Sequence, residues 1–382
     1  MATHTTALLL ARLKAWKESA VGSTLCLDLR SASEYKKNHL APSTNIPWPQ
    51  LSLRCAELPP KRTPFAVVEP LETQGCSSWL QEQGWQCPWV FWEGDCSAGF
   101  WTAARQAGWA SDANDTPSDL PKPWLLFRPC PFLAQHIDRI ERDLGSHHSA
   151  LACLDIGCGS GRDAAWLLSR PIGSWRVTAV DSLKHALQRT EALTTHLGVR
   201  DRLDHVVHAK IMADGAWKSI DTDKPAMPAI LTQQDKETEP CHDTKQHQFL
   251  KKKATFSPGI PTSEFFGQLS SSSSFSPSSR TATSGYAKYD LILTIRFLVR
   301  SLLPQLPDLL NIGGFLVISH FVDDGSEYDQ PRKDHRLAVG ELSSLYGSMA
   351  HMEVVMDVIE TIEDGRPVNS VIIRKTREKI DD

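Results

Sequence analysis

One ten-residue stretch constrains this chain more than any other: Leu154-Asp155-Ile156-Gly157-Cys158-Gly159-Ser160-Gly161-Arg162-Asp163. It follows an apolar run, Ala150-Leu151-Ala152-Cys153-Leu154, of the kind that forms a buried parallel strand, and it leads into Ala164-Ala165-Trp166-Leu167-Leu168, which continues as a helix. Glycines at 157, 159 and 161 permit positive φ and leave room for a ligand near the backbone at the carboxyl edge of the strand. Strand, glycine turn and helix in that order predict an open α/β sheet with a nucleotide-type ligand at the turn. Further on, Arg176-Val177-Thr178-Ala179-Val180-Asp181 is a second β-rich run whose terminal acid is placed to accept both hydroxyls of a ribose.

A dinucleotide enzyme is the structural rival, but it uses G-x-G-x-x-G, and position 162, where its third glycine would fall, is Arg. The set Asp155, Gly157, Gly159, Gly161 and Asp181 resembles the cofactor site of class I S-adenosylmethionine-dependent methyltransferases. The resemblance implies S-adenosyl-L-methionine as cofactor. Asp155 would orient its methionine part, the backbone through Cys158 and Ser160 would face its carboxylate and ribose, Asp181 would take the ribose diol, and Leu183 would line the adenine slot. Adenine contacts in such folds also come from the end of the third strand, near His208-Ala209-Lys210, where a common acid is replaced by Lys210 or displaced to Asp214.

The resemblance extends over residues 123–376. Tyr289-Asp290-Leu291-Ile292-Leu293-Thr294-Ile295 reads as a buried strand, 302–310 as a leucine-rich helix, 313–320 as the next strand, and 352–361 with 368–375 as a terminal antiparallel hairpin. This is the order of a Rossmann-like, mostly parallel seven-stranded sheet. The glycine string, the Tyr289 strand, Gly340-Glu341-Leu342 and Asp364-Gly365-Arg366-Pro367 together are similar to the tellurite-resistance-type branch. The acceptor pocket is expected at the carboxyl ends of strands four and five and at the approach segment before the domain. Those places hold Arg128, Arg296, Arg300, His320, Tyr328, Arg332, His335 and Arg336. Cations converging there would favour a small anionic or soft acceptor, such as a thiolate or chalcogen oxyanion.

The first part of the chain, residues 1–109, is a unit of its own. Asp28-Leu29-Arg30-Ser31 with Glu34-Tyr35, then His39, Ser43 and Asn45-Ile46-Pro47, resembles the rhodanese-like domain over about residues 20–105, with 65–68 as its central strand and 79–84 as the following helix. Rhodaneses carry a nucleophilic cysteine directly after that strand, in a loop whose amides lower the thiol pKa. Here Glu69, Pro70 and Glu72 stand in its place, and Cys76 comes later as a helix-start residue. The resemblance therefore implies a non-catalytic module used for contact or positioning. Polar, proline-punctuated 110–122 has linker composition, and 218–288, with its lysine triplet and serine run, reads as a disordered low-complexity insertion. Cys241, His242 and His247 inside it have no second pair to complete a metal site, so no metal is expected.

A net charge of −4 offers no basic field for nucleic acid, and no Asn-Pro-Pro-Tyr-like motif follows strand four, which argues against base methylation. No apolar run approaches the roughly 20 residues of a membrane span. Nine cysteines, odd in number and without a C-x-x-C pair, indicate free thiols and a cytoplasmic setting. The basic, acid-poor N-terminus reads as an ordinary first helix, with organelle targeting as the alternative. Two function classes stand: a small-molecule methyltransferase with a silent rhodanese-like module, or an inert cofactor-binding or protein-contact scaffold. Three permissive glycines in one turn favour the first.

Overall fold

The computed structural model describes residues 2–19, 25–112, 124–145, 150–172, 174–220 and 288–377. The chain builds two α/β units. In the first, helix α1 (Ala2–Lys17) precedes β1 (Cys26–Asp28), α2 (Ala32–Lys37), β2 (His39–Leu40), β3 (Thr44–Asn45), α3 (Leu51–Arg54), β4 (Ala66–Glu69), α4 (Cys76–Glu82), β5 (Trp89–Trp92), α5 (Ala98–Gln106) and β6 (Ala110–Ser111). Strands β3-β1-β4-β5 form a parallel sheet. Ser31 caps α2 by accepting from the Glu34 N–H. Leu9, Leu13 and Trp16 recur on one face of α1 and are buried against Phe91 and Phe100, so this helix is part of the unit's core. Residues 110 and 111, expected in the linker, instead pair as β6 with β2. Linker residues 113–122 lie outside the described residues.

The second unit begins with α6 (Pro131–Leu144), β7 (Ala152–Ile156), α7 (Arg162–Leu168), β8 (Arg176–Asp181), α8 (Lys184–His196), β9 (Leu203–Ile211) and β10 (Trp217–Ser219). It resumes with β11 (Tyr289–Ile295), β12 (Leu310–Asp323), β13 (Leu337–Ala338), α9 (Glu341–Gly347), β14 (Met352–Thr361) and β15 (Pro367–Lys375). The strand order is β10-β9-β8-β7-β11-β12-β15-β14, parallel from β9 to β12 and antiparallel through β15 and β14. Seven strands make the expected Rossmann-like sheet. Two short ones are added: β10 against β9 and β13 against β12.

Both faces of this sheet are covered, which is why its strands read as continuous apolar runs. Cys153, Leu291 and Leu293 pack toward α6, α7 and α8, while Leu154, Ile156 and Ile292 pack toward Leu306, Leu342 and Tyr346 on the other side. Two local expectations need correction. Leu303–Leu309 is a 3-10 segment rather than an α-helix, because Pro304 and Pro307 remove backbone donors that an α-helix would need. The interruption expected from 218 starts later, since Lys218 and Ser219 pair with Lys210 and Ala209 in β10. Residues 221–287, including Cys241, His242 and His247, lie outside the described residues.

Candidate functional site

The chain reverses its direction of winding between β7 and β11, and an open α/β sheet has its ligand crevice at that switch point, outside the carboxyl ends of the strands. The glycine turn ends β7 there. Its backbone is pinned to β8 because the Gly157 and Cys158 N–H groups both donate to Val180 O, at 2.9 and 3.0 Å. All three glycines have positive φ, 71° at Gly157, 57° at Gly159 and 72° at Gly161, yet they are needed for different reasons. A Cβ on Gly157 would lie 2.5 Å from the Phe297 ring, and one on Gly161 would lie 2.5 Å from Thr190. Only at Gly159 does that direction meet open space. The expectation that all three leave room for ligand therefore narrows to Gly159, the other two admitting side chains of the protein itself.

Asp155 ends up buried beside this turn, and its Oδ2 has no hydrogen-bond partner among the described residues. Burial, with Asp163 and Asp181 nearby, holds its carboxyl well above the usual carboxylate range. Asp163 is committed: its Oδ1 accepts the Cys130 N–H at 2.6 Å, tying the approach segment to α7. Asp181 is committed in part. Its two oxygens accept the N–H groups of Gly159 at 2.9 Å and Leu183 at 2.8 Å, each retaining lone pairs.

In front of the turn lies a cavity of about 620 Å³, within the span of small-ligand sites. Asp155, Gly157, Cys158, Gly159 and Ser160 line it; Gly161, Asp181 and Leu183 do not, and Leu183 is exposed at the start of α8. Lys210 is bound into the β9–β10 pairing and Asp214 accepts the Ala216 N–H, so neither reaches the cavity lining.

Of the acceptor candidates, Arg128 and Arg296 line the cavity and the others do not. β12 runs on to Asp323, beyond the sheet edge, and carries its neighbours into a brace against β13. There His320 is buried with Nε2 on His335 O, the Tyr328 hydroxyl donates to Val322 O, and Arg336 lies over the Tyr328 ring while donating to Pro331 O. Arg300 is held by Glu341, and Arg332 and His335 are exposed. The His320, Tyr328, Arg336 and Arg300 side chains bind backbone carbonyls around this brace, a role that position at a strand end does not reveal.

Arg296 is different. Among the described residues it is one of three non-glycine residues with positive φ, at 56°, and its N–H donates to Ser319 O at 2.7 Å. A left-handed conformation costs a non-glycine residue about 1–2 kcal/mol, and such strain concentrates where a side chain must be aimed. Sequence reasoning missed Arg162, which lines the cavity from the first turn of α7, and the wall contributed by the first unit: residues 55–61, apart from Glu57, with Trp85. Arg162 had a signal, standing directly after the last glycine; the wall had none.

No family model matches the chain. Among solved structures, a SAM-dependent methyltransferase from Methanosarcina mazei aligns at 13% identity over 62% of this chain and 97% of that one, with a TM-score of 0.35. TehB from Haemophilus influenzae aligns at 16% identity over 62% and 61%, with a TM-score of 0.34. In sequence, the chain is 33% identical over 368 residues to the uncharacterized protein UNK4.09 of Schizosaccharomyces pombe, covering 93% of this chain and 94% of that protein. A match of that extent takes in both α/β units, so the two-unit chain as a whole, and not one sheet alone, belongs to the same family as fission yeast UNK4.09.

Proposed function

We propose that this chain transfers a methyl group from S-adenosylmethionine to a small anionic or soft acceptor, a thiolate or chalcogen oxyanion. The observation that carries the reading is Asp155: a buried carboxyl group with one oxygen unpartnered among the described residues, on the wall of a cavity at the switch point. A buried acid left in that state calls for a cationic ligand group, and the ammonium of the donor's methionine part supplies one. The open side of Gly159 lets the ligand approach the turn, and the free lone pairs of Asp181 suit a ribose diol once the ligand spans from the cavity to β8. The donor brings a methyl on a sulfonium, an excellent leaving group, so the protein's work is to align a nucleophile and exclude water. Arg128 and Arg296 face the cavity with no side-chain hydrogen bond among the described residues, Arg128 standing 3.9 Å from Glu363. They are suited to hold an anion. Packing accounts for Gly157 and Gly161, so the open direction at Gly159 is the feature of the turn that disfavours an inert scaffold.

The first unit fits a rhodanese-like module without sulfur transfer. Its β4 ends in Glu69, whose Oε1 accepts the Ser77 N–H at 2.6 Å at the start of α4, where an anion-binding loop would need free amides. Burial and Glu69 push the Cys76 thiol up to about 12, away from a reactive thiolate. The finer kinship with the tellurite-resistance type rests on the four strings named above, and a small-molecule acceptor, rather than nucleic acid, suits a cavity of this size. The test is a transfer assay with labelled S-adenosylmethionine and a panel of thiols, selenite and tellurite. Transfer to one class is expected, with Arg296→Gln raising KM for the acceptor and leaving S-adenosylhomocysteine affinity unchanged. Failure to bind S-adenosylhomocysteine would overturn the reading.

A further inference from the structure

The first unit does more than sit beside the cavity. Glu57, buried on the 3-10 turn after α3, accepts from Arg54 at 2.6 and 2.7 Å and lies 2.8 Å from Nδ1 of His196 at the end of α8. Five residues on, Arg62 donates to Glu363 O, at 2.9 Å, in the turn between β14 and β15. In the sheet order, α8 follows β8 on one side of the switch point and the β14–β15 turn lies beyond β12 on the other. Residues 58–61 join these two anchors, and they line the cavity together with the glycine turn after β7 and with Arg296 after β11. Pro59 and Pro60 stiffen this link, and Trp85 Nε1 donates to Pro59 O at 3.0 Å. Lys61 Nζ donates to Gln83 O at 2.5 Å and lies 5.0 Å from the Trp85 ring centre, leaving its other N–H donors for the cavity it lines.

From this geometry we infer that the first unit is half of the transfer site: residues 55–61 roof the cavity opposite the glycine turn, and Lys61 joins Arg128 and Arg296 in selecting a small anion admitted between the units. The inference rests on the methyltransferase reading for what the anion is for, but not for its binding. It gives the silent module a task, since an acceptor that must pass beneath its roof is chosen by size and charge before it meets the donor.

The full chain and Lys61→Gln are titrated calorimetrically with sulfite, a small oxyanion, and with S-adenosylhomocysteine. The parent is expected to bind the anion, and Lys61→Gln, a change in the other unit, to weaken it at least about threefold while S-adenosylhomocysteine affinity stays the same. Arg296→Gln, on the second unit's side of the cavity, is expected to weaken the same anion by about as much. No anion binding by the parent, or unchanged anion affinity in Lys61→Gln, overturns the inference. Anion binding that depends on Lys61, in a chain that binds no S-adenosylhomocysteine, overturns the donor assignment and leaves the anion site standing.

Discussion

The three glycines of the turn offer a test in which one substitution, made three times, has different consequences. Alanine at any of them meets the left-handed penalty of about 1–2 kcal/mol. At Gly157 and Gly161 the new methyl also lies 2.5 Å from Phe297 or Thr190, and overpacking of that kind adds about 1–3 kcal/mol. Gly157→Ala and Gly161→Ala should therefore lose about 2–5 kcal/mol, and Gly159→Ala only about 1–2 kcal/mol. With roughly 2–4 °C of Tm per kcal/mol in a domain of this size, the order of melting is resolvable by scanning calorimetry. Binding should rank the opposite way: Gly159→Val, placing its side chain in the open direction, should abolish S-adenosylhomocysteine binding while remaining folded. If Gly159→Ala melts as low as Gly161→Ala, or if Gly159→Val binds like the parent, the assignment of Gly159 to ligand and its neighbours to packing is wrong.

Asp181→Ala should weaken S-adenosylhomocysteine by about 1.5–3 kcal/mol, the range for a hydrogen bond to a charged group, measured by titration calorimetry. Arg54→Ala should destabilise the chain by about 3–5 kcal/mol, because it strips a partner from the buried Glu57 carboxylate. Burial alone would raise the Glu57 pKa, but hydrogen bonds from Arg54 and His196 hold it below its ordinary value. Its stabilisation is then present above the unfolded Glu pKa and lost as pH falls through the folded one, so the stability gap to Glu57→Gln should close in acid unfolding curves below about pH 4. The first unit should show no thiosulfate sulfurtransferase activity, and Cys76→Ser should change no catalytic rate; cyanide-dependent thiocyanate formation lost in that variant would refute this.

What could be read from the sequence was what is local. Asp155, the glycine turn and Asp181 lie within two strands and a turn, so apolar runs and spacing locate them without tertiary knowledge. The 3-10 segment at Leu303–Leu309 reads as an α-helix in sequence because its leucines keep helical spacing, while Pro304 and Pro307 forbid the α-helix. The acceptor residues were legible only as a region. Which side chains face the cavity depends on how far β12 overruns the sheet and on the brace around Tyr328 and Arg336, neither of which leaves a periodic trace. The roof was invisible, since Arg62 and Glu363 are separated by 301 positions and meet only once both units have folded and docked.

The account depends most on Asp155 receiving a cationic ligand, and proton-linked calorimetry tests that directly. S-adenosylhomocysteine is titrated into the full chain and into Asp155→Asn at mildly acidic pH, in two buffers of different ionisation enthalpy. Burial raises the Asp155 carboxyl and an ammonium binds its ionised form, so affinity should fall as pH falls, and binding should release a proton wherever the free carboxyl is protonated. The account predicts a single site, a heat that differs between buffers by the sign of proton release, and loss of both affinity and linkage in Asp155→Asn. Absence of binding, or equal affinity and equal buffer dependence in the two proteins, would contradict it.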